Sequence, residues 1–243
     1  MGTPTLYHIH FSPWSERARW ALDHHRVPHR RVAHLPMLGE PLLRLRARRL
    51  RGRVSVPLLI DRGEIKTDSL EIARWAEERG SGAPLFPGEA SSEIERLNAL
   101  AEMMAAAGRA RTTARVAADP DALRETLPGP LRATGPVGMM AGRMGAQFIA
   151  QKYGFARSDL DAHERILRES LAEIRSVLDG GDYFLSDFSY ADVAVAASFQ
   201  FLRPVGDRYI RLGPAGTRAW TDPLASDHED LLAWRDRLYE RHR

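Results

Sequence analysis

The chain reads as a two-domain protein of α+β/all-α class: a βαβαββα unit followed by a domain made of helices alone. Three observations predict this. Over the first 80 residues the apolar positions switch repeatedly between period 2 and period 3.6, the spacings of strands and amphipathic helices. At residues 80–92, GSGAPLFPGEASS, Gly, Ser and Pro cluster without any period, as in a linker. Beyond that break the strand signal disappears and only helical spacing remains.

Taken in order, TLYHI (5–9) alternates as a strand, and Ser12-Pro13 then opens a helix over 13–25, serine at the cap and proline at the first helical position. A strand over 29–33 and a helix over 40–50 follow. VPLLID and GEIKT form two strands joined by a tight turn at Arg62-Gly63, and DSLEIARWAEER is an amphipathic helix. In the second domain, 91–118, 136–152, 159–179, 190–203 and 228–241 carry helical spacing, with Pro-Gly punctuation at 128–138 and 204–223. The division is therefore 1–80, a linker at 81–90, and 91–243. In FSYADVAVAA, Ser189 and Asp192 have the spacing of an N-capping box and Phe188 with Val193 that of a hydrophobic staple, a folding element.

Composition removes several classes of function. Of 243 residues, 44% are apolar and none is cysteine, so disulfides, thiolate-bound metals and a cysteine nucleophile are excluded. No metal site is expected. No run of 18 apolar residues is present and the N-terminus lacks a signal-peptide pattern, so no membrane association and a cytoplasmic location are expected. Residues 1–80 hold 15 Lys/Arg against 9 Asp/Glu, the remainder 20 against 23. RLRARRLRGR (44–53) carries much of that basicity, but without interleaved aromatics it reads as a solvated, anion-attracting rim and not a nucleic-acid patch.

The stretch SPWSERARWAL poses the functional question. Ser12 sits between a strand and a helix, with Ser15 one turn in and Arg17 and Arg19 beyond. The hydroxyl is either a plain cap or a donor to an anion bound at the helix N-terminus. Two further motifs bear on the choice: VSVPLLID, with Pro57 just before the third strand, and KTDSLEIARW, with Asp68-Ser69 opening another helix.

In layout and in these three ordered motifs, the chain resembles the soluble glutathione transferases of the serine- and cysteine-type branches. The resemblance implies a thioredoxin-like first domain, glutathione as co-substrate, a small hydrophobic electrophile as its partner, and a homodimer. It implies that Ser12 activates the thiol. Pro57 corresponds to the family's cis-proline, leaving the Val56 backbone to pair with the cysteinyl unit. Asp68 and Ser69 correspond to the acidic-Ser pair at the γ-glutamyl end, and Arg53 is chosen from the 44–53 arginines for the glycyl carboxylate. Arg17 and Arg19 match an R-x-R motif expected to tie the domains together by ion pairs. The tyrosine used by another branch falls at Pro13, so Tyr7 is read as a core or interface aromatic. The electrophile is expected between the Ser12 turn and the first helices of the second domain, against Trp14, Met103, Met104 and Met140, with Met139, Met144, Phe148 and Tyr153 nearby. A glutathione-dependent disulfide reductase lacks its cysteine here. The alternative is a non-catalytic member that binds glutathione or a protein.

Overall fold

The structure, a computed structural model, describes residues 2–243. The first domain has the order β1 (Thr5–His8), α1 (Pro13–His24), β2 (Arg30–Ala33), α2 (Glu40–Arg46), β3 (Leu58–Asp61), β4 (Glu64–Lys66) and α3 (Ser69–Arg79). The four strands form one sheet in the order β2-β1-β3-β4, with β1 parallel to β2 and the other pairs antiparallel. Arg62 and Gly63 both take positive φ, +47° and +92°, as a two-residue hairpin turn that follows the sheet's twist requires.

Period-2 alternation decides which face each strand residue meets. Leu6 and Leu59 join the core shared with α1 and α3, whereas Tyr7 and Leu58 join a smaller core with Leu43 and Ala47 on the α2 side. The sheet is thus covered on both faces. Helix α2 ends at Arg46, four residues before the expected end: Arg48 takes a left-handed φ of +52°, which stops the helical repeat.

The second domain contains α4 (Ser91–Ala118), α5 (Pro120–Thr126), α6 (Gly129–Arg132), α7 (Pro136–Lys152), α8 (Leu160–Leu178), α9 (Tyr190–Ser198), α10 (Pro214–Trp220) and α11 (Glu229–His242). Its core is continuous with that of the first domain: Trp20, Leu22, Ile72 and Trp75 belong to the same buried cluster as Leu97, Leu167, Val193, Phe199 and Trp234. The capping box is present: Asp192 accepts from the Ser189 amide at 2.8 Å and from its hydroxyl at 3.0 Å. Among the described residues no helix is long and apolar enough to cross a membrane.

Candidate functional site

The sheet register gathers three separate motifs at one edge. Strand β1 runs toward that edge and leads into the Ser12 turn. Strand β3 starts there, because Leu58 pairs with Tyr7 near the end of β1. Strand β4 ends there, because Lys66 pairs with Leu59. Ser12, Val56-Pro57 and Asp68-Ser69 therefore share one side of the sheet, with the N-termini of α1 and α3 opening between them.

Each motif leaves a backbone donor unused. Ser12 is the N-cap of α1, half-buried, and its oxygen accepts the Ser15 amide at a long 3.5 Å. Pro13 at the first helical position has no N–H, and the Trp14 amide has no acceptor among the described residues. The Val56-Pro57 peptide is cis, and neither the N–H nor the C=O of Val56 has a partner among the described residues. Asp68 caps α3, accepting from the Leu70 amide at 2.8 Å and the Glu71 amide at 3.2 Å, which leaves the amide of the buried Ser69 free. The fully buried Tyr190, whose phenol burial pushes up, lies beside the Ser69 hydroxyl. Unpaired helix-terminal and loop amides of this kind are ready donors to anionic ligand groups. Ser15 is different: it is fully buried and its oxygen accepts the Ile9 amide at 3.1 Å, a strut inside the turn.

The R-x-R arginines divide their work. Arg17, fully buried, pairs with Glu102 of α4 and donates to the Ala194 carbonyl at 3.2 Å and the Ser198 hydroxyl at 2.5 Å, joining the two domains. Arg19 does not join them as an ion pair. It binds Glu16 on its own helix, the His8 ring at 2.8 Å and the His10 carbonyl at 2.6 Å, because its position on α1 faces the end of β1. Burial, and next the Arg19 charge beside it, lowers the pKa of His8 to about 4.

Between the Ser12 turn and the second domain stands an aromatic and cationic stack. The Trp14 indole donates to both oxygens of Glu102, at 2.9 and 2.7 Å, and packs edge-on against Phe201. The Arg109 guanidinium carbon lies 4.6 Å from the Trp14 ring centroid and 3.6 Å from that of Tyr153. Arg53, exposed, lies 5.4 Å from the same Tyr153 ring. Lys152, at the end of α7, pairs with Glu40 of α2 and so draws α7 across to the first domain.

The expected methionine wall is rearranged. Met104 is sealed in the main core at 1% exposure and does not open on this stack, while Met103 and Met140 are exposed to solvent at 54% and 60%. Helical spacing puts adjacent residues about 100° apart, so Met103 and Met104 cannot share a face. Met139 is the methionine that packs against the buried cluster of Ala105, Leu123, Phe201 and Trp220, against which Phe11 and Trp14 also pack. Sequence reasoning passed over Glu102 and Arg109. Their spacing of seven places both on one face of α4, a pattern visible in the sequence but mute without knowing what that face meets.

A profile of the glutathione S-transferase N-terminal domain matches residues 6–84, and one of the glutathione S-transferase C-terminal domain matches residues 157–237. No curated protein matches the chain. Similar solved structures include a glutathione transferase from Phanerochaete chrysosporium, 15% identical, covering 100% of this chain and 99% of that one, with a TM-score of 0.65. A glutathione S-transferase domain-containing protein from Marinobacter aquaeolei VT8 is 18% identical, covers 98% of both chains and has a TM-score of 0.64. A glutathione transferase family member from Pseudomonas fluorescens Pf-5, with bound S-(propanoic acid)-glutathione, is 21% identical, covers 98% and 95%, and has a TM-score of 0.57. With both domain profiles matched in order across a sheet domain and a helical domain, the chain belongs to the glutathione S-transferase superfamily.

Proposed function

We propose that the protein is a glutathione transferase in which Ser12 activates the thiol of glutathione for attack on a hydrophobic electrophile. The observation that carries the reading is the convergence, at one sheet edge, of the loosely held Ser12 hydroxyl with free amides at Trp14, Val56 and Ser69. Glutathione is a peptide with two carboxylates and one thiol, and it needs such donors along its length. Ser69 and the Asp68-capped helix suit the γ-glutamyl carboxylate, Val56 suits the cysteinyl backbone, and Arg53 suits the glycyl carboxylate.

The energetics support activation by Ser12. A thiol with a pKa near 8.5 is only a few per cent ionised at neutral pH, and lowering it by about two units takes roughly 2.7 kcal/mol. A hydroxyl hydrogen bond to an anion supplies about 1.5–3 kcal/mol, and a helix N-terminus about 0.3–1, rising to ~2 when partly buried. The thiolate sulfur then forms a bond to the electrophilic carbon as the leaving group departs with its electron pair. The half-buried rings of Phe11 and Trp14 beside the Ser12 turn support the position of that carbon.

The remaining parts of the proposal are a homodimer, a cytoplasmic setting and a role in detoxification, with the first domain comprising 1–80. The test is a titration of glutathione followed by ultraviolet thiolate absorbance, with and without an electrophile panel. Binding with thiolate formation and turnover is expected; binding without either would favour the non-catalytic alternative.

A further inference from the structure

Buried and half-buried arginines in this protein are otherwise well supplied with acceptors. Arg17 has Glu102, the Ala194 carbonyl and Ser198; Arg235 has Asp236 and the Arg203 carbonyl; Arg111 and Arg115 share Asp222. Arg109 breaks the pattern. None of its N–H groups donates to a protein acceptor among the described residues, and its Nε is buried with no partner at all. Burial lowers its pKa to about 10, which still leaves it cationic at neutral pH. The nearby Glu102 carboxylate is already held by Arg17 and by the Trp14 indole.

What surrounds Arg109 explains its charge only in part. The guanidinium carbon lies over the Tyr153 ring, 3.6 Å from its centroid, and over the Trp14 ring at 4.6 Å. Stacked aromatic faces attract a cation through their quadrupoles. They offer no oxygen or nitrogen acceptor to the planar fork of five N–H donors, which stays without a protein partner. An in-plane fork of donors flanked by aromatic faces is matched by a carboxylate arriving edge-on, through two parallel hydrogen bonds. Through Trp14 the stack adjoins the half-buried Phe11 and the edge of the Phe201 ring, so a ligand lying there presents an apolar body to Phe11 and Trp14 and an anionic end to Arg109.

We infer that Arg109 is a specificity-determining residue that receives a carboxylate on the second substrate, so that the preferred electrophiles are apolar acids and not uncharged hydrophobes. This rests on the glutathione-transferase reading above. In it the two guanidiniums beside Tyr153 have different partners, Arg53 the glycyl carboxylate of glutathione and Arg109 the electrophile.

The experiment is calorimetric titration of the full chain with two product-like conjugates, S-benzylglutathione and S-(4-carboxybenzyl)glutathione. The wild type is expected to bind the carboxylate conjugate about tenfold tighter or more, 1.4 kcal/mol per factor of ten. Arg109→Met is expected to erase that preference and Arg109→Lys to keep part of it. Because the readout is a ratio of affinities on one preparation, a misfolded fraction cancels. Equal affinities in the wild type would overturn the assignment. So would an Arg109→Met loss of affinity for free glutathione as large as that for the carboxylate conjugate, since Arg109 would then hold one of glutathione's own carboxylates. If neither conjugate nor glutathione binds, the glutathione reading itself fails. Titration with 4-methylbenzoate, read by tryptophan fluorescence, then decides: binding lost in Arg109→Met supports the carboxylate site, and no binding to the wild type refutes it.

Discussion

Replacing Ser12 by alanine separates the two roles that a serine at a helix start can have. As a cap, Ser12 contributes little, because its oxygen stands 3.5 Å from the Ser15 amide, beyond the usual range for such a bond. The stability cost of Ser12→Ala should therefore fall at the low end of the cap series, about 0.5 kcal/mol. As a thiol partner, it contributes much more. The α1 terminus offers the anion only the Trp14 amide besides Ser12, since Pro13 has no N–H and the Glu16 amide is bonded to the Ser12 carbonyl at 2.9 Å. Losing the hydroxyl then removes about 1.5–3 kcal/mol of preference for the thiolate, which at 1.36 kcal/mol per unit moves the titration midpoint of bound glutathione up by about 1 to 2 pH units. Glutathione affinity at low pH, where the thiol is neutral, should stay within a few-fold. The assay is ultraviolet thiolate absorbance of the saturated complex against pH, with Ser12→Thr recovering most of the shift. An unmoved midpoint in Ser12→Ala, at whatever loss of stability, would refute the reasoning and leave Ser12 a cap.

Ser69→Ala should weaken glutathione by about 1.5–3 kcal/mol in calorimetry without moving the thiol midpoint, because it removes a bond to a carboxylate and not to sulfur. Asp192→Asn should change how stability depends on pH. Burial raises the pKa of Asp192 to about 6, so the folded state holds a proton that the unfolded state has released, and stability falls as pH rises from about 4 through 6. The contribution is on the order of 2–3 kcal/mol, and urea midpoints across that range should show a shallower decline in the variant. Asp222→Ala should destabilise by about 3–5 kcal/mol in urea unfolding, since its fully buried carboxylate accepts from Arg111 at 2.9 Å and Arg115 at 2.6 Å and its loss leaves Arg115 without a carboxylate and Arg111 with Glu164 alone. For the proposed homodimer, light scattering at micromolar concentration should give twice the chain mass, and a monomeric mass would reject it.

Local signals carried the sequence reading furthest. The spans of α4 and α7 match the periodic stretches, and the capping patterns at Ser12, Asp68 and Ser189 appear as caps, because a cap involves residues only two or three apart. The short helices α6 and α10 lie inside the Pro- and Gly-rich runs, and α5 lies in the unassigned stretch between the 91–118 helix and the first of them. Proline there sits at the first or second helical position, where it opens a helix, and composition alone does not distinguish that from a break. The Trp14, Arg109 and Tyr153 stack was beyond reach for another reason. Its members lie tens of residues apart, and their meeting depends on how α4 crosses α1 and where α7 ends.

The same stack, with the imidazoles near it, sets the conditions under which the site reports on itself. Burial keeps the His8, His10 and His34 rings below their ordinary titration range. At the other end, Arg109 holds its proton to about 10 and burial pushes the Tyr153 phenol above its usual value. Between neutrality and pH 9 none of these groups changes charge, and the chain has no cysteine to add a signal of its own. A bound thiol would ionise in that interval beside rings that have already lost their protons and an arginine that still holds its own, so these side chains add no step to its titration near pH 8.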